Sequence, residues 1–404
     1  MSWDNNIFGQ SKRIHIVLIV LLFTFVMGGF KYVHWPIHLK LVMRVLSVLL
    51  LAFYIRGNRQ SPNLHFQKTV LLLAFYPFLS VTYSFIEYGQ PIMDGIRDTI
   101  PWLLWLSYFF FHHVKISEGS FLKAIFYMAL FIASVQIIQQ FTYPDILFNV
   151  PVEDESNPDD ELVSSRNGIW RFRLGDVGYF AALTLFFLWD KVKRHISGMS
   201  IVFLSVMAIS LYLTLTRQII FSALLTIIAS YLMGRKRLGK WGLALIITVL
   251  VIITYNYDAL FGELGKLTAE ETNEDYIRIL SGQYFFTETF SSVQAAILGH
   301  GVAVSGAFSV MVKNLQENWH FYASDVGFIG QMWKFGVPYV IICFYLLFSL
   351  FFIWRHYIPT YIRLFVLFTT IMSIMIFPMG LGFQFILWSF LLYICDMNIV
   401  MKQK

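Results

Sequence analysis

The stretch Met199–Met233, MSIVFLSVMAISLYLTLTRQIIFSALLTIIASYLM, carries one charged side chain, Arg217, between two apolar runs. Each run approaches the roughly twenty residues that an α-helix needs to cross a bilayer. An arginine there is costly unless it faces a polar cavity or a partner, and it cannot escape by losing its proton. The corner Leu213-Thr214-Leu215-Thr216-Arg217-Gln218 therefore points to a membrane protein with an anionic ligand at one surface. Thr214 and Thr216 offer hydroxyls beside the charge. The plainer alternative is an arginine that snorkels to the interface.

Working outward, similar runs recur over all 404 residues, of which 57% are apolar and 13% charged. A soluble domain carries about 25% charged residues. The runs are continuous rather than alternating, which argues against a transmembrane barrel. Twelve candidate spans follow: Ile14–Phe30, Ile37–Ile55, Thr69–Phe85, Thr99–His112, Phe121–Phe141, Val177–Trp189, Met199–Leu215, Gln218–Met233, Trp241–Tyr257, Val337–Trp354, Ile362–Phe377 and Leu381–Cys395. Asp325–Phe335 is either an interfacial helix or part of a span. The expectation is an all-α polytopic protein, a single integral membrane domain over residues 1–404.

Lys and Arg mark one set of loops, including Lys191/Lys193/Arg194 and Arg235/Lys236/Arg237/Lys240. The positive-inside rule makes these cytoplasmic, with both termini inside. Two long polar loops, 142–176 and 258–324, then lie on the outer face, where function is expected. The net charge of +6 sits at span ends and gives no reason to expect a nucleic-acid partner. Cys343 and Cys395 fall within apolar runs and suggest neither a disulfide nor a metal site. No Walker loop, HExxH, CxxC or GxSxG is present. The acidic run Glu153–Glu161 reads as a solvated excursion.

Three segments carry the chemistry. The first is Trp170-Arg171-Phe172-Arg173-Leu174-Gly175-Asp176, where arginine and aromatic residues interleave. Arginine's planar fork suits phosphate, although such residues also line membrane interfaces. Gly175 and Gly178 would let a ligand approach the backbone. The second is Arg217. The third is the late outer loop. Asp275-Tyr276-Ile277-Arg278 opens a helix expected to reach about Ser291. Leu298-Gly299-His300-Gly301 follows, with His300 read as a turn residue. The loop closes with Trp319-His320-Phe321-Tyr322-Ala323-Ser324-Asp325-Val326-Gly327-Phe328-Ile329-Gly330 before Phe335-Gly336.

Together these segments resemble the bacterial O-antigen polymerase and O-antigen ligase superfamily. The likeness runs in motifs from about Arg166 to Pro338, and in topology over the whole chain. It implies a GT-C-like helical fold and a metal-independent glycosyltransferase without cofactor. Donor and acceptor would be glycans on undecaprenyl diphosphate, at the outer face of the bacterial inner membrane. Arg217 and Arg278 would bind diphosphate, with Arg171 and Arg173 beside them. His320 matches the loop-closing histidine of the ligases, whereas Asp325-Val326-Gly327 is closer to the polysaccharide polymerases. A departing lipid diphosphate needs positive charge, and the attacking hydroxyl needs a base. Asp325, His320, Asp176 and Glu288 are the base candidates, in that order. Trp170, Trp319, Phe321 and Tyr322 would stack on sugars. A ligase and a transporter or flippase remain the alternatives, as does a chain-length regulator as an additional partner.

Overall fold

A computed structural model describes residues 15–20, 39–57, 64–145, 163–166, 169–172, 177–233, 276–380 and 382–403. Arg173, Gly175, Asp176, the acidic run, the Trp241–Tyr257 span and most of Ile14–Phe30 lie outside the described residues. So does the side chain of Arg171.

The described chain is mostly helical and separates into two compact units. Three helical stretches are long and apolar enough to cross a membrane: Gln67–Tyr88, Glu118–Thr142 and Gln384–Lys402. Gly198–Leu213, Arg217–Tyr231, Val337–Ile353 and Thr360–Met372 are shorter apolar helices. The described residues do not show the twelve or so spans expected from the sequence. Proline and local tightening break several runs. Thr99–His112, for example, opens as a 3-10 segment, Ile100–Leu106, with Pro101 in its first turn.

One unit comprises residues 1–37, 117–272 and 360–368. Its long helix, here α6 (Glu118–Thr142), begins where the Ser117 hydroxyl accepts a hydrogen bond from the Ser120 amide, an N-cap. Its 25 residues reach ~37 Å. It packs against α7 (Val177–Arg194) and α8 (Gly198–Leu213), and α9 (Arg217–Met233) follows. The fold is all-α in kind, as expected, with a small antiparallel hairpin between α6 and α7, β1 (Val163–Arg166) with β2 (Ile169–Phe172). The Gln140 side chain of α6 holds it, donating to the Trp170 carbonyl at 2.6 Å and accepting from the Trp170 amide at 3.1 Å.

The other unit comprises residues 38–116, 273–359 and 369–404. It starts with α1 (Leu39–Gly57), α2 (Gln67–Phe75), α3 (Pro77–Tyr88) and α4 (Ile92–Thr99). Pro77 lies in the first turn of α3, where a missing amide costs nothing. The 3-10 segment and α5 (Ser107–Val114) complete this part. They surround α16 (Gly382–Gln403), whose residues Phe385 to Leu392 are buried all round, including Trp388. The Ser389 hydroxyl of α16 donates to the Trp105 carbonyl at 2.9 Å, which ties the centre together.

The long late loop is a packed helical subassembly. It holds α10 (Ile277–Thr289), α11 (Val293–Leu298), α12 (Gly306–Trp319) and α13 (Gly327–Phe335), followed by α14 (Val337–Phe348). Its own core contains Phe285, Phe308, Val326 and Trp333. At nine residues, α13 extends ~13 Å and is too short to span. One further helix, α15 (Thr360–Met372), begins in the first unit and ends in the second.

Candidate functional site

The sequence pattern of α10 sorts its side chains onto two faces. Ser281, Phe285 and Thr289 are buried, and this face packs on α13. Ile277, Leu280, Tyr284 and Glu288 recur at helical spacing on the other face and line a cavity of about 570 Å³.

The opposite wall is the end of α12. His320 caps that helix in the left-handed region at φ 52°. This conformation is uncommon for a residue with a Cβ, and histidine is among the types that tolerate it. The Phe321 amide then bonds back to the Leu315 carbonyl at 2.9 Å. The reversal brings Asn318, Trp319, His320 and Phe321 to the cavity together. Trp319 is 63% exposed, so most of its ring is open to a ligand. The Phe321 ring lies 5.7 Å from Tyr284 and 6.1 Å from Trp319.

Burial, and then the Glu288 carboxylate, push the Tyr284 phenol above its ordinary value. It therefore remains protonated near neutral pH and can donate a hydrogen bond. Aromatic faces, a carboxylate, an imidazole and the amides of Gln283 and Asn318 thus share one cavity. Such a wall can cover the C–H face of a sugar and bind its hydroxyls. Glu288 or His320 can also take a proton from a hydroxyl placed within hydrogen-bond reach.

The residues expected from the sequence divide. His320 and Trp319 line the cavity together with Glu288, which ranked last among the base candidates. Asp325 and Tyr322 do not. Asp325 is half-buried in the loop before α13, where the Ser324 hydroxyl donates to its carboxylate at 3.1 Å. Its charge acts on the half-buried Lys334. Arg278 stands in the first turn of α10, on the stripe of Ser281 and Phe285 that faces α13. It belongs to the cavity helix but not to the cavity wall.

In the first unit, Arg217 opens α9. Before it, Leu215 is fully buried at φ 47°, a strained conformation for a bulky residue. The Thr214 hydroxyl closes the end of α8 by donating to the Leu211 carbonyl at 2.7 Å, and Thr216 donates to the Thr214 carbonyl at 3.1 Å. These hydroxyls hold the corner rather than a ligand. Gly178 is also structural. A Cβ there would stand 2.8 Å from Ile219, so the glycine admits α9 and not a substrate. Trp170 has one face covered by Tyr143, whose ring stacks 4.0 Å away.

Two polar clusters were not read from the sequence. His300 is buried, accepts from the Tyr88 hydroxyl at 2.5 Å on Nδ1, and donates from Nε2 to the Glu288 carbonyl at 3.1 Å. Asp396, in α16, is 1% exposed. The Tyr108 hydroxyl and the His65 amide donate to it, and His112 Nε2 lies 3.3 Å away. An acidic residue directly after an apolar run was the available signal for Asp396. His300 left none, because a buried histidine and a turn histidine look alike between two glycines.

No protein-family model matches this chain, and no curated protein matches it.

Proposed function

We propose that this chain is a membrane glycosyltransferase that joins oligosaccharide repeats carried on undecaprenyl diphosphate. In this reading it is a helical, GT-C-like protein of the bacterial inner membrane, with both termini cytoplasmic and the late loop outside. The observation that carries the proposal is the cavity between α10 and the end of α12, where open aromatic rings meet Glu288 and His320.

The acceptor hydroxyl attacks the anomeric carbon of the donor sugar. The bond from that carbon to the diphosphate oxygen breaks, and the electron pair leaves with the lipid diphosphate. Glu288 or His320 receives the hydroxyl proton. Positive charge stabilises the leaving group, so it needs no acid. Arg278, on the cavity helix α10, is assigned to that role. Asp325 is assigned to orienting Lys334.

A ligase is the second reading. It is favoured by one observation, that His320, the residue matching the ligase histidine, lines the cavity.

The test uses purified full-length protein in lipid with undecaprenyl-diphosphate oligosaccharide from its host. The expected result is a ladder of repeats, weakened about a hundredfold or more in Glu288→Gln or His320→Ala, as for a lost general base. Transfer only to an added lipid A core would replace polymerase with ligase. A folded protein inactive with both acceptors would refute the transferase and leave transport.

A further inference from the structure

Far from the α10–α12 cavity in sequence, the first unit holds another cavity. It measures about 390 Å³ and lies among the start of α6, the end of α7 and the start of α8. Its lining residues include Lys123 and Lys191. The rest of the wall is largely apolar, with Phe126, Leu130, Phe187 and Phe203. Phe126 and Phe203 meet edge to face at 4.9 Å, so the wall is packed. Tyr127 and Met199 at the rim are 55% and 58% exposed, so the cavity opens outward from the helices.

The two lysines stand near the ends of their helices, five residues into α6 and three residues from the end of α7. From Lys123 the apolar wall continues along α6 to Leu130, a rise of ~10 Å. The site therefore has a doubly cationic end and an apolar depth parallel to the helices.

We infer that this cavity binds one anionic phospholipid of the leaflet that meets the basic loops. Lys123 and Lys191 take the phosphate and the aromatic wall takes the upper acyl chain. Charge complementarity selects the occupant, since a zwitterionic headgroup carries its own compensating cation. A free phosphate would leave the apolar depth unused. Basic groups at the cytoplasmic ends of spans recognise anionic headgroups in this way. The inference is independent of the catalytic reading, because its residues belong to a different cavity.

The experiment is native mass spectrometry of the full chain in detergent with phosphatidylglycerol, phosphatidylcholine or inorganic phosphate. Retention of one phosphatidylglycerol over phosphatidylcholine is expected. In Lys123→Gln/Lys191→Gln that preference should fall about tenfold to thirtyfold, at roughly one kcal/mol per basic residue. Lys123→Arg/Lys191→Arg should keep it, and Lys193→Gln should leave it unchanged. Leu130→Trp, which fills the cavity without touching charge, should also lower retention. Equal retention by the Gln pair, or displacement of lipid by millimolar phosphate, would overturn the assignment.

Discussion

His300 shows how much a single residue depends on its surroundings. Its ring lies 5.3 Å from Trp333 and stacks on it, while Nδ1 accepts and Nε2 donates. That pattern uses the neutral imidazole. Burial pulls its proton affinity below the ordinary value of 6.5, more strongly than the Glu288 carbonyl and nearby carboxylates raise it. The unfolded chain then binds more protons than the folded one just below that value. Stability from this group is complete above 6.5 and is lost as the pH falls through 6.5 toward the lower folded value. We predict that the Tm of the detergent-purified protein falls on acidification over that window, and that His300→Gln removes this part of the fall. The variant should also be less stable at neutral pH by about 1–3 kcal/mol, for a lost buried bond and ring contact. An acid response in the variant equal to that of the wild type would contradict the assignment. For Arg217, residue type and position pointed to a special corner, but the threonines beside it turned out to hold backbone.

At the scale of elements, glycines read as motif letters become packing contacts. The Leu298-Gly299-His300-Gly301 segment lies directly on the end of α13. The His300 and Gly301 amides donate to the Trp333 and Lys334 carbonyls at 2.7 and 2.8 Å. A Cβ on Gly336 would fall 2.1 Å from the Ile297 carbonyl oxygen. On Gly330 it would fall 1.7 Å from the Ala323 carbonyl oxygen, which is backbone and cannot swing aside. Gly330→Ala should therefore cost about 3 kcal/mol or more and lower Tm sharply. Gly119→Ala, which meets nothing within 4 Å on α6, should be neutral or stabilising by up to about 1 kcal/mol. Thermal shifts of the two variants side by side check this contrast, and similar shifts would defeat it. The helix expected from Asp275 to about Ser291 is present over Ile277–Thr289 as α10, because its apolar periodicity and its turn residues agree. The β1–β2 hairpin was not legible. Its short strands pair with each other and are anchored through Trp170 by the Gln140 side chain of α6, thirty positions earlier.

For the whole molecule, the distribution of Lys and Arg makes an orientation testable. Lys313 on α12 and Arg194 at the end of α7 have side chains 61% and 71% exposed. Cysteines placed at each should react oppositely with a membrane-impermeant maleimide. Lys313→Cys should label in intact spheroplasts, and Arg194→Cys only after permeabilisation. The native thiols Cys343 and Cys395 are buried, so background labelling is low. Labelling of Arg194→Cys from outside would reverse the orientation and remove the outer-face reading of the α10–α12 cavity.

By itself the sequence determined that the chain is helical and suited to a membrane, which stretches are polar, and which residue types crowd the late loop. These follow from composition and local periodicity. Only the tertiary structure decided that the late loop has its own core, that Glu288 joins Trp319 and His320, and that Asp325 does not line their cavity. It also decided which helix lies inside. Of the three longest apolar helices, the stretch within α16 is the least hydropathic and the most buried. Lipid tails and a protein interior are equally apolar, so transfer into either gives a side chain the same free-energy preference. Hydropathy can therefore report that a helix leaves water, but the neighbours it meets depend on packing between residues far apart in the chain.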